Sequence, residues 1–265
     1  MELIGKVSKG SKMDQIYIPK RRDGLRVGDY VVIRLLETQK SIEKPYFYGI
    51  KSIEPVKLRI ASDAFKELDK KIEKYDNLII TGSFLDKGFS FKDIDILIIS
   101  GKKIDAASLK NSIEGTTGIR AHIILLNNKT LIDGLSTDPL YQTMLSRCIS
   151  KRRIIYKIKR KIDYKILDLG LLKSKTLIDN FDDLNGNEKY YLTRNMISIM
   201  LYVRLKNVNQ EKIDNKIKDI FNLKDINEIK ENMLDKNKFL KKYRETYKKT
   251  FNLIMESIKH GPKQG

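Results

Sequence analysis

Asp93 and Asp95 stand at the head of an apolar run, Asp93-Ile94-Asp95-Ile96-Leu97-Ile98-Ile99. On an extended backbone, residues two apart point to one face, so the two carboxylates lie side by side. Such a pair repels itself, and a divalent cation relieves the repulsion. Hard oxygen ligands suit Mg²⁺, which is commonly held by one or two carboxylates together with substrate phosphates. Upstream, Leu78-Ile79-Ile80 ends at Thr81-Gly82-Ser83. A glycine at a strand end lets the backbone approach a phosphate closely, and free N–H groups there can cradle it. Ser83 adds a hydroxyl. A phosphate cradle facing a carboxylate pair is the equipment for two-metal transfer at a phosphoryl centre. The plainer alternative is an acidic strand end facing solvent after a polar loop.

These residues need strands to carry them. The near-continuous apolar character of Leu78–Ile80 and Ile94–Ile99 predicts strands covered on both faces. A short loop or half-helix joins them. An amphipathic helix is expected over Ala61–Tyr75, with Phe65, Leu68 and Ile72 at helical spacing and Ser62 or Asp63 as its cap. Pro55 marks a break in a linker over Ser52–Arg59. Further on, the pattern predicts a helix at Ala106–Ile113, a third strand at Gly118–Leu126 and a helix from Asp138 to Ile149. Lys151–Lys165 is the densest basic segment. Its part Arg153–Ile158 reads as an edge strand whose cations guard against edge-to-edge pairing, or as a phosphate track on which Tyr156 and Tyr164 stack bases.

Gly82-Ser83, the nine residues Phe84–Lys92, then Asp93-Ile94-Asp95 resemble the signature of the DNA polymerase β-type nucleotidyltransferase superfamily. The resemblance implies a core over residues 57–160. In it Asp93 and Asp95 are catalytic and hold Mg²⁺, in a two-metal site if the core is active, and Gly82 and Ser83 grip the outer phosphates of an NTP. Lys87, Lys92 and Arg120 are further nucleotide-binding candidates that would neutralise charge in the transition state. The family places a third acid on the third strand. Gly118–Leu126 contains none; its polar members are Arg120 and His122, which share a face. His122 is therefore a candidate ligand or general base, or a core histidine on an unrelated face.

Residues 1–56 read as a small β module. Val7-Ser8-Lys9-Gly10, Ile18-Pro19-Lys20 and Leu25-Arg26-Val27-Gly28-Asp29-Tyr30-Val31 resemble the AbrB-type swapped-hairpin DNA-binding domains. That resemblance implies a homodimer through exchanged hairpins, with Lys9, Lys12, Lys20, Arg21, Arg22 and Arg26 near nucleic-acid phosphates. A last strand of this module is expected at Tyr46–Ile50. Otherwise the region is a generic β-barrel appendage with a solvated basic face.

From about Ile162 the pattern is helical, and Lys189–Leu205, apolar on most of its surface, is expected at the centre of a bundle over 161–265. Further helices are expected at Ile213–Phe221, Ile226–Leu234 and Lys238–Ile258. Arg194 lacks the downstream histidine of a HEPN-type ribonuclease, which sets that activity aside. The 53 Lys and Arg against 34 Asp and Glu give a net charge of +19, a field that favours polyanionic partners. The single cysteine excludes an internal disulfide. No apolar run is long enough to span a bilayer and no secretory leader is evident, so a cytoplasmic location is expected. The expected fold class is α+β: N-terminal β module, central mixed-sheet nucleotidyltransferase core, C-terminal helical bundle. The expected function is Mg²⁺-dependent nucleotidyl transfer from an NTP to a nucleic acid or protein. The alternatives are a DNA-binding transcriptional regulator whose core is a nucleotide sensor or inert, and an antitoxin-like protein that modifies or masks a partner.

Overall fold

A computed structural model describes residues 7–16, 24, 26, 44–89, 91–156, 158–204 and 208–260. Two compact units divide the chain, Met1–Glu43 and Lys44–Gly265. In the first, β1 (Val7–Ser8) pairs antiparallel with β2 (Gln15–Ile16), Val7 opposite Ile16. Lys20, Arg21 and Arg22 lie outside the described residues.

The second unit is mixed α/β, built on a five-stranded mixed sheet. Its strands are β3 (Tyr46–Tyr48), β4 (Asn77–Thr81), β5 (Asp93–Ile99), β6 (Arg120–Leu126) and β7 (Cys148–Ser150). Their spatial order is β3-β7-β4-β5-β6, with only β5 and β6 parallel. Tyr46–Tyr48 is thus the edge strand of this sheet, paired with β7, and not a strand of the N-terminal module.

Helices cover both faces. One face carries Leu78, Ile80, Ile94, Ile96 and Ile98 against α1 (Pro55–Lys71) and α2 (Ala106–Thr117). The other carries Ile79, Leu97 and Ile99 against α3 (Asn128–Thr137) and α4 (Pro139–Ser146). Double coverage accounts for the unbroken apolar runs.

Three local expectations are corrected. Pro55 opens α1 instead of breaking a linker, because proline's fixed φ and missing N–H suit the first helical position. Ser62 and Asp63 therefore lie inside the helix. The helix expected to reach Ile149 stops at Ser146, and Cys148–Ser150 becomes β7. The described residues of Arg153–Ile158 form no strand. The ladder continues for one residue, with the Lys151 N–H donating to the Leu78 carbonyl. There the buried Asn77 side chain accepts from the Arg152 N–H at 2.9 Å and donates to the Arg152 carbonyl at 3.1 Å. A side chain thus takes up the groups that a further strand would have used.

The remaining helices are α5 (Tyr164–Asp179), α6 (Gly186–Val203), α7 (Gln210–Phe221), α8 (Asn227–Lys230) and α9 (Lys236–His260). A reciprocal Asn185–Glu188 capping box starts α6. Met196, Ile197, Met200 and Tyr202 of α6 lie in the centre of an apolar cluster with residues of α5, α7, α8 and α9. The Tyr202 hydroxyl donates to the carbonyls of Ser136 and Lys161, tying this helix to the chain beside the sheet. None of the helices among the described residues is long and apolar enough to cross a membrane.

Candidate active site

Strand register decides which side chains meet. Thr81 of β4 lies opposite Asp95 of β5, and Asp93 and Asp95 lie beside Arg120 and His122 of β6. Asp93, Asp95, Arg120 and His122 all belong to the face covered further along by α3 and α4. They occupy its front end, where the strands emerge from that cover. His122 therefore stands on the third strand next to the acid pair. Its Nδ1 is 3.0 Å from the Asp95 Oδ1.

Gly82 closes the site from the other side. Its φ of 84° and ψ of −165° lie in a region essentially reserved for glycine. A Cβ built there would overlap the Asp95 carboxylate. Both backbone shape and space thus require glycine, and the bend rests directly on the acid. Ser83 then starts a single 3₁₀ turn, Ser83–Leu85, with Ser83 itself exposed.

The loop after this turn is fastened. Phe84 and Leu85 are buried, and Phe84 packs edge-on against Phe91 at 5.0 Å. Lys57, fully buried in α1, donates to the Asp86 carbonyl and lies 3.3 Å from Glu54, which accepts from the Gly88 N–H at 2.7 Å. The Asp86 carboxylate pairs with Arg147 and, at 2.8 Å, with Lys230 of α8. Burial alone would raise its pKa; Lys230 and then Arg147 outweigh burial and hold it below the usual value. A carboxylate three residues past Ser83 thereby joins the Gly82-Ser83 bend to the helices.

Asp95 is perturbed in the opposite sense. Burial raises its pKa, and the neighbouring Asp93 charge adds to that, against the opposing pull of His122 and of Arg194 on α6. A carboxylate pushed towards its neutral form beside a second acid is one that a cation would restore. Among the described residues no three His, Cys, Asp or Glu side chains converge as a ready-made cage. The donor set is two carboxylates, which fits a Mg²⁺ that takes its other ligands from water and a phosphate.

The structure thus brings together Gly82, Asp93, Asp95, Arg120 and His122. Lys87 and Lys92 are exposed on the loop before β5. Lys9, Lys12 and Arg26 are exposed in the N-terminal unit, a separate body. Sequence reading missed Lys57, Asp86, Arg147 and Lys230, which fix the bend. An acid close behind the glycine-serine pair was the available signal, but its partners lie 61 and 144 residues away. Comparison with models of known protein families, with curated proteins and with solved structures finds no match for this chain.

Proposed function

We propose that the chain transfers a nucleotidyl group from an NTP to an acceptor hydroxyl on a nucleic acid or protein, with Mg²⁺. In this reading residues 57–160 form a core of the polymerase β-type superfamily, followed by a helical domain and preceded by an AbrB-like module that binds DNA and dimerises. The observation that carries it is the seating of Gly82 against Asp95 at the front of a covered sheet, with Asp93 on the same face. That geometry supports a reading in which the bend would take a phosphate beside two carboxylates.

Asp93 and Asp95 would hold the cation, whose contribution is to neutralise phosphate charge. Gly82 and Ser83 hold the outer phosphates through backbone N–H groups and a hydroxyl. The acceptor oxygen attacks the α-phosphorus, the bond from that phosphorus to the β-bridging oxygen breaks, and pyrophosphate leaves with the electron pair. His122 receives the acceptor's proton. With Nδ1 3.0 Å from the Asp95 Oδ1, a hydrogen on Nδ1 would be held by that carboxylate and Nε2 would be left as the base. The imidazole here would take the part that a third carboxylate has in the superfamily.

A second reading has its own support. His122 in place of an acid suits a core that binds NTP without transferring it, as a sensor within a DNA-binding regulator. Incubation with α-labelled NTP and total RNA, DNA or cell protein separates the two. Transfer predicts a labelled acceptor with wild type and a rate about 10²- to 10⁴-fold lower for His122→Ala. Label that never moves, alongside a salt-sensitive DNA shift, favours the sensor.

A further inference from the structure

The three cations that fasten the loop after Gly82-Ser83 have partners. Lys57 meets the Asp86 carbonyl and Glu54, Arg147 meets Asp86 and the Leu85 carbonyl, and Lys230 meets Asp86. Arg194 of α6 differs. Its Nε is buried and has no hydrogen-bond partner, and among the described residues its guanidinium pairs with no carboxylate. The Tyr191 ring lies 5.2 Å from its Cζ.

Its position is fixed by what surrounds it. One turn earlier on α6, Tyr190 donates to Asp214 at 2.7 Å, and Lys230 sits 4.7 Å from the Tyr190 ring while pairing with Asp86. The helix face bearing Tyr190 and Arg194 is thereby bound to the loop that follows Gly82-Ser83. Arg194 stands close enough to Tyr190 and Asp214 for its charge to oppose the rise that burial gives both groups. A desolvated donor left unpaired is costly and calls for a missing acceptor. A guanidinium presents a planar fork of donors that matches phosphate oxygens, which lysine does not.

We propose that Arg194 is a phosphate-binding residue, reaching from the helical half of the unit to the triphosphate of the nucleotide bound at Gly82, Ser83, Asp93 and Asp95. This rests on the nucleotide-binding reading above and deepens it. The helices then do more than cover the sheet: they complete the anion site, and a nucleotide bound there bridges sheet and bundle.

Calorimetry of the full-length protein with inorganic tripolyphosphate and Mg²⁺, and with α,β-methylene NTPs, tests the idea. Arg194→Ala is expected to weaken both about 10- to 100-fold, with Arg194→Lys between it and wild type, as loss of a charge-assisted bidentate contact implies. Because Arg194→Ala sits on a packed helix, a measurement on unaltered protein stands beside it. Phenylglyoxal modification of Arg194, read by mass spectrometry, should slow when tripolyphosphate and Mg²⁺ are present. If Asp93→Asn/Asp95→Asn loses binding while Arg194→Ala retains it, or if Arg194 reacts equally fast with and without ligand, this inference falls and the nucleotide site stands. If wild type binds neither ligand, both fall together.

Discussion

Asp95 meets three neighbours: Gly82 at its back, His122 at its side and Asp93 on its own strand. Its raised pKa has a consequence for stability. An acid whose pKa is raised on folding favours the fold most when protonated, and that benefit is lost as pH rises through the folded value. Above its folded titration, ionised Asp95 therefore works against the fold. Asp95→Asn should raise the melting temperature by about 2–4 °C at pH 7.5 without Mg²⁺, a gain of roughly 1 kcal/mol. The gain should shrink as pH falls below the Asp95 titration. Thermal unfolding followed by circular dichroism measures it. A loss of stability at neutral pH would show that Asp95 serves the fold and not a ligand. Stability given up at a binding site is the usual mark of function.

At the scale of elements, the bend between β4 and β5 is held by side chains distant in sequence. Asp86 links it to Arg147, between α4 and β7, and to Lys230 on α8. Removing the carboxylate strands two cations in a partly buried place. About a third of the Asp86 side chain is solvent-accessible, so solvent screening moderates the cost, and Asp86→Ala should lose about 1–3 kcal/mol. Asp86 has its pKa lowered from 3.8, so its contribution is present above the unfolded value and fades as pH falls through the folded one. The difference between wild type and Asp86→Ala in urea melts should thus be full at pH 7 and smaller at pH 3, below the unfolded value. An equal difference at both would mean the ion pairs do not carry it.

Element reading from sequence succeeded where the pattern was strong. The runs at Leu78–Ile80 and Ile94–Ile99 are β4 and β5, and the apolar Lys189–Leu205 is the core helix α6 with ends shifted by two or three residues. It failed where the signal was sparse or came from elsewhere. In α3 only Leu131 and Leu135 are buried, and Gly134, packed on the Tyr141 ring, weakens helix propensity further. The end of the sheet at Arg152 is set by Asn77, 75 residues away. Tyr46–Tyr48 was extended as expected, but pairing is a tertiary property and its partner is β7.

At the scale of the whole molecule, one unit joins the sheet and the helices, with the acid pair at the open end of one sheet face. The residues of the site were legible because strand alternation and a glycine bend are local. The convergence of Lys57, Asp86, Arg147 and Lys230 beside it was not, since they come from different elements. The net charge of +19 supplies long-range attraction for any polyanion, but only a specific site makes that attraction depend on two aspartates. Isothermal titration of the full-length protein with the four α,β-methylene NTPs, with and without Mg²⁺, is the most direct test. Saturable one-to-one binding that needs Mg²⁺ and is lost in Asp93→Asn/Asp95→Asn is the predicted result. Equal binding by the variant and wild type, or binding indifferent to Mg²⁺, would contradict it.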